Sequence, residues 1–100
     1  MMKLLYIFAI IVTLNCSAYT HSMNPTASGV MPQVGMCACD RINGQWVKFG
    51  TVIKIEDGRT LVVTDRFGDG RSNCLDIFME TEQECWEWGR RYVECKVELP

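Results

Sequence analysis

Short β-forming runs, none longer than eight residues and all bounded by turn residues, are the feature that most limits what this chain can become. They span Gly35 to Cys39, Gln45 to Lys48, Thr51 to Ile55, Thr60 to Thr64, Leu75 to Met79 and Tyr92 to Leu99. Asp57-Gly58 joins the third run to the fourth, and both residues tolerate the positive φ of a tight hairpin turn. In the last run Val93, Cys95, Val97 and Leu99 alternate with Glu94, Lys96 and Glu98, the period of a strand with one buried and one wet face. One helix interrupts the series at Glu82 to Trp88. Thr81 is placed to cap it, Glu84 to complete a capping box and Gly89 to stop it. Cys85 and Trp88, three apart, share its inner face. Six short strands and one helix predict an all-β fold, a small closed barrel, because closure removes exposed strand edges.

The N-terminal stretch reads differently. Lys3 precedes an apolar run of 11 residues, Leu4 to Leu14, and Cys16-Ser17-Ala18 offers small residues for cleavage, the pattern of a secretory signal over residues 1–18. A membrane-spanning helix needs about 20 apolar residues, so an uncleaved signal anchor is the alternative and a full span is excluded. Cleavage after Ala18 leaves 82 of the 100 residues, 19–100, as a single domain, secreted, periplasmic or associated with a cell wall. Ser22 to Gly35 then reads as an ordered loop leading into the strands.

Charge narrows the partners. The whole chain carries 10 basic and 12 acidic residues, and without Lys3 the balance is 9 against 12. No basic run or stripe exists, so the counterion release that drives nucleic-acid binding is missing and no nucleic-acid partner is expected. Past residue 18 the cysteines are Cys37, Cys39, Cys74, Cys85 and Cys95, an odd number, so at least one thiol stays free unless Cys16 is retained or a bridge forms between chains. Cys37-Ala38-Cys39 lacks the spacing of a zinc pair and His21 is the only histidine, so the thiols read as small buried hydrophobes; no metal and no cofactor is expected.

Three aspartates stand out from the strands: Asp40, Asp65 and Asp76. Asp76 interrupts the apolar run Cys74-Leu75-Asp76-Ile77-Phe78. Alternation alone makes it the outward member of that strand; burial would raise its pKa and make it a candidate general acid. Asp65, Asp69, Gly70 and Asp76 also fall on positions 1, 5, 6 and 12 of a calcium loop, but Phe67 occupies a ligand position and no flanking helices are predicted.

The order of motifs is more specific than any one of them. Ala18-Tyr19-Thr20, Asn24-Pro25-Thr26-Ala27-Ser28-Gly29, Gly35-x-x-Ala38-x-Asp40, Phe49-Gly50-Thr51, Asp65, Asn73-x-Leu75-Asp76-Ile77-Phe78 and Trp88-Gly89-Arg90-Arg91 follow one another along the chain. In this order, with its step of 11 residues from Asp65 to Asp76, the chain resembles the three-aspartate (3D) domain family from about Ala18 to Leu99. That family looks like the catalytic barrel of membrane-bound lytic transglycosylase A and of the stationary-phase survival muralytic proteins, so the resemblance implies a six-stranded double-psi β-barrel. It departs after Asp65, where Arg66-Phe67-Gly68-Asp69-Gly70-Arg71-Ser72 replaces the family's usual Thr-Gly-Gly, and at Cys74, which stands for a usual Arg.

The resemblance implies cleavage of the β-1,4 bond between N-acetylmuramic acid and N-acetylglucosamine in peptidoglycan, with ring closure to a 1,6-anhydro sugar. Ordinary glycosidases use two carboxylates; here one acid, Asp76 by its position in the motif, protonates the leaving oxygen and then takes the proton of the attacking C6 hydroxyl. Asp65 is implied as its catalytic companion, Asp40 as support for a loop at the rim, and Thr26 and Ser28 as substrate hydrogen-bonders. Trp46 is the better sugar platform among the tryptophans, Trp88 the better core residue, and His21 reads as structural. A barrel of the same build that binds wall glycan without cleaving it is the alternative function, and a disulfide-stabilised structural or inhibitory protein a third.

Overall fold

The computed structural model describes residues 8–99. Its elements are β1 (Phe8–Tyr19), β2 (Met36–Ala38), β3 (Arg41–Ile42), β4 (Gln45–Trp46), β5 (Val52–Ile55), β6 (Thr60–Asp65), β7 (Cys74–Phe78), α1 (Glu82–Trp88) and β8 (Arg91–Leu99). Six strands close into a barrel in the order β1-β7-β2-β6-β5-β8, and β3 and β4 form a separate two-stranded ribbon. Among the described residues no helix is long and apolar enough to cross a membrane.

The connectivity is that of two interlocked ψ motifs. β1 and β2 are chain neighbours but flank β7, and β6 and β7 are chain neighbours but flank β2. β1 runs parallel to β7, β7 antiparallel to β2, and β2 parallel to β6. Each couple is therefore antiparallel around a central strand, and each supplies the other's centre. The all-β barrel with one short helix expected from the strand runs is the fold observed.

The six strands are not the six that the runs suggested. Residues 8–18, expected to precede the fold, make up most of β1, whereas Gln45 to Lys48 contributes only the ribbon strand β4 outside the barrel. The alternation Val12-Thr13-Leu14-Asn15-Cys16-Ser17-Ala18 explains the first difference. Leu14 and Cys16 are fully buried in the barrel, with Val12 and Ala18 packed against the same core, while Thr13 is exposed and Asn15 and Ser17 sit half-buried on the outer face. β1 pairs with β8 from Phe8 to Cys16 and with β7 from Asn15 to Tyr19. A chain cut after Ala18 would leave β7 and β8 as open edges.

Inside, Ile53, Leu61, Val63, Leu75, Ile77, Val93 and Val97 pack with four cysteines, Cys16, Cys37, Cys39 and Cys95. All six cysteines are free. Burial pushes the Cys16 and Cys39 thiols up to about 12 and Cys95 to about 11, so they stay protonated and fill the core as small apolar groups. The β5–β6 hairpin turns at Asp57-Gly58 as expected, with Gly58 alone taking positive φ and Asp57 Oδ1 accepting the Arg59 amide at 3.0 Å. Helix α1 has the predicted bounds. Thr81 Oγ1 accepts the Glu84 amide at 3.1 Å, and buried Trp88 ties the helix to the barrel by donating its indole N–H to the Cys16 carbonyl at 3.1 Å.

Leu14→Ala should lower unfolding stability by about 2–4 kcal/mol, the cost of a core cavity. Ile11→Ala, on the same strand but 66% exposed, should stay within about 0.5 kcal/mol. Urea denaturation of both variants checks this, and a silent Leu14→Ala would show β1 to lie outside the cooperative fold.

Candidate functional site

The site is built from a row of residues that face outward across four neighbouring strands. Ser17 on β1 is paired with Asp76 on β7, Asp76 with Ala38 on β2, and Ala38 with Asp65 on β6. Paired residues point to the same side of a sheet, and two strand spacings put the Asp65 and Asp76 backbones about 10 Å apart. On β7 the alternation that makes Asp76 outward also turns Leu75 and Ile77 into the core.

Asp65 reaches this face by an irregularity. In simple alternation, Leu61 and Val63 inward would place Asp65 inward too. The β2–β6 register slips between Cys37 and Ala38, which pair with Val63 and Asp65, so Thr64 is the extra residue of a bulge. The bulge swings the carboxylate to the outer side. There Asp65 Oδ1 accepts the amides of Ala27 and Arg66, each at 2.8 Å. The Thr26–Ser28 loop is pinned in the same place, with the Ser28 amide donating to the Thr64 carbonyl at 3.0 Å and the Thr26 and Ser28 hydroxyls 3.0 Å apart. Thr26 is buried.

Asp76 is half-buried, and its carboxyl is pushed above the ordinary aspartate range, chiefly by burial and further by the charge of Asp65. The hydrogen bond from Ser17 Oγ, at 2.9 Å, and the charges of Arg90 and Arg71 act in the opposite direction. Beside it lies an aromatic group. The Tyr19 ring meets Phe78 edge-on at 5.6 Å and His21 meets Phe78 at 4.9 Å. The Tyr19 hydroxyl is buried with no hydrogen-bond partner, and burial together with the charges of Asp65 and Asp76 pushes its pKa up. His21 is bound to Glu80 at 2.9 Å on the exposed rim.

The remaining candidates form a second cluster. Asp40, fully buried, gathers the loop that follows Asp65: its Oδ1 accepts the Phe67 amide at 2.8 Å, its Oδ2 those of Gly68 at 3.3 Å and Gly70 at 2.7 Å. Gly70 takes φ 73 to turn its N–H inward. Arg66 crosses back to the Cys39 and Val47 carbonyls and lies over Phe49 at 4.2 Å. Trp46 is 56% exposed, but the Arg41 guanidinium stacks on its ring at 4.5 Å. It walls a cleft of about 370 Å³ whose floor includes Ile10, Val97 and Leu99. Ile10 and Ser17 lie seven residues apart on one strand, so the Ile10 end of this cleft is about 20 Å from Ser17, whereas its Trp46 wall lies against the loop after Asp65, with the Arg66 guanidinium 5.7 Å from the ring.

Of the residues singled out in the sequence, Asp65, Asp76, Thr26 and Ser28 therefore come together, Asp40 acts on the intervening loop, and Trp46 packs on the far side of that loop beneath Arg41 and Arg66. No protein-family model matches the chain, and no curated protein does. The calcium-loop pattern is taken up otherwise: Asp69 is clamped by Arg71, which holds its carboxyl down at about 2, and Asp65 by amides. Among the described residues no group of three or more ligating side chains is arranged around a metal position. Ser17 and Tyr19 were missed because they lie in or beside the segment read as a leader, although the alternation from Val12 to Ala18 carried the signal.

Two expectations follow. Asp40→Ala strips three amides of their acceptor and should cost about 3 kcal/mol, with amide exchange at Phe67, Gly68 and Gly70 accelerated well beyond that of the barrel strands. For Asp76 the folded state holds the proton more tightly than the unfolded chain. Its burial cost is therefore absent below the ordinary value of 3.8 and sets in as pH rises through the raised one. Asp76→Asn should match the native chain in stability at acid pH and equal or exceed it at pH 7, as read by denaturation at both.

Proposed function

We propose that the chain acts on peptidoglycan glycan strands as a lytic transglycosylase of the three-aspartate type. The observation that carries the reading is a half-buried Asp76, its carboxyl raised by burial, on the same outer face as Asp65 and across one strand from it. A carboxyl poised toward its protonated form is what a single acid needs to protonate the glycosidic oxygen as the bond to the anomeric carbon breaks. As carboxylate it then takes the proton of the muramyl C6 hydroxyl while that oxygen bonds to the anomeric carbon, giving the 1,6-anhydro end. Asp65 supplies fixed negative charge toward the ring cation of the transition state. Its two amide donors hold it in place.

The reading places the working chain on the wall side of a membrane with β1 retained, since Ser17, the partner of Asp76, lies before the expected cleavage point. The shortage of basic charge leaves nucleic acid aside. A second reading, a barrel that binds wall glycan without turnover, is favoured by the loop after Asp65, which Asp40 and Arg66 hold rigidly beside the row.

Incubation of the purified chain with peptidoglycan, followed by mass spectrometry of the soluble products, tests both. Anhydro-muropeptides are expected from the native chain, and a loss of at least 100-fold on the order of a missing general acid is expected from Asp76→Asn. Reducing-end products mean hydrolysis instead, and retention on the wall without products means a binding barrel.

A further inference from the structure

The structure assigns Ser17 as the positioning residue that holds the Asp76 carboxyl through both of its protonation states, so that the site is complete only when β1 is part of the chain. This rests on the reading of Asp76 as acid and base. Ser17 and Asp76 are register partners on neighbouring parallel strands, and their side chains share the outer face. The hydroxyl has two acceptors within reach: Asp76 Oδ1 at 2.9 Å and the Leu75 carbonyl at 3.4 Å. When Asp76 is ionised, Ser17 donates to it. When Asp76 is protonated on Oδ2, Oδ1 remains an acceptor for the same O–H, so the acidic proton stays free for the glycan. No proton changes owner between the two side chains; the hydroxyl keeps its donor role toward Oδ1, and the carboxyl keeps one position while the proton on Oδ2 passes to and from the glycan.

The other groups facing Asp76 act by charge at longer range. Arg90 and Arg71 favour its ionised form and Asp65 disfavours it. Tyr19 and the thiols of Cys16, Cys37 and Cys85 remain protonated and neutral, each of their pKa values being raised. Among the described residues Ser17 is the one side chain that hydrogen-bonds the carboxyl. Its own side chain lies outside the core, so removing the hydroxyl leaves the barrel packing in place.

The test is the titration of Asp76, followed by carboxyl carbon NMR in the native chain, Ser17→Ala and Ser17→Thr, with Asp76→Asn assigning the resonance. Ser17→Ala should move the Asp76 midpoint upward by about one pH unit, because the lost hydrogen bond is stronger to the charged carboxylate than to the neutral carboxyl. Ser17→Thr, which keeps a hydroxyl, should stay near the native value. In peptidoglycan cleavage the alkaline limb of the rate profile should shift with the midpoint in Ser17→Ala. An unchanged midpoint in a folded Ser17→Ala overturns the assignment. A shifted midpoint in a chain that releases no anhydro products upholds the Ser17–Asp76 coupling and overturns the transglycosylase reading, so the two failures are told apart.

Discussion

Pairing of β1 between β7 and β8 is the constraint on which the rest depends. It closes the barrel, and by closing it gives the parallel β1–β7 contact that sets one wall of the aspartate row. Closure removes every edge of the six-stranded sheet, which a sheet of this size otherwise has to guard with charge or cover. It also buries Leu14 and Cys16 against the strands that carry Asp65 and Asp76, so the geometry of the site and the stability of the fold share the same side chains.

Two departures from regular β structure then place the aspartates. The bulge at Thr64 re-aims one residue at the end of a strand, and without it Asp65 would point among Val63 and Leu61. The buried carboxylate of Asp40 gathers three amides into a concave turn, a structural use of charge in which each buried group is met by several donors. Asp40 and Asp65 are thus both held by backbone N–H groups. Asp76 is not; it meets a hydroxyl, which leaves its proton affinity open to the effect of burial. Asp40 between β2 and β3, Asp65 at the end of β6 and Asp76 in the middle of β7 thus differ in the donors that surround them.

The barrel class, the hairpin at Asp57-Gly58, the bounds of α1 and the outward face of Asp76 were legible in the sequence, because each depends on period, turn chemistry or capping within a few residues. β1 was legible only in part. Its first residues have the unbroken apolar character of a leader, and the alternation from Val12 to Ala18 that marks a strand begins late. β4 failed for the opposite reason: Gln45 to Lys48 has strand-forming residues but no barrel neighbour, and Val47 turns instead to the Asp40 carbonyl.

By itself, the sequence determined the alternating faces, the turns and the helix caps, all local preferences that hold wherever the segment ends up. Only the tertiary structure decided which strand closes the barrel, that Ser17 meets Asp76, and that a one-residue slip brings Asp65 to the same side. These are register relations between segments as many as 59 residues apart. Register is set when distant apolar faces are buried together, so no short-range pattern in the chain can hold it.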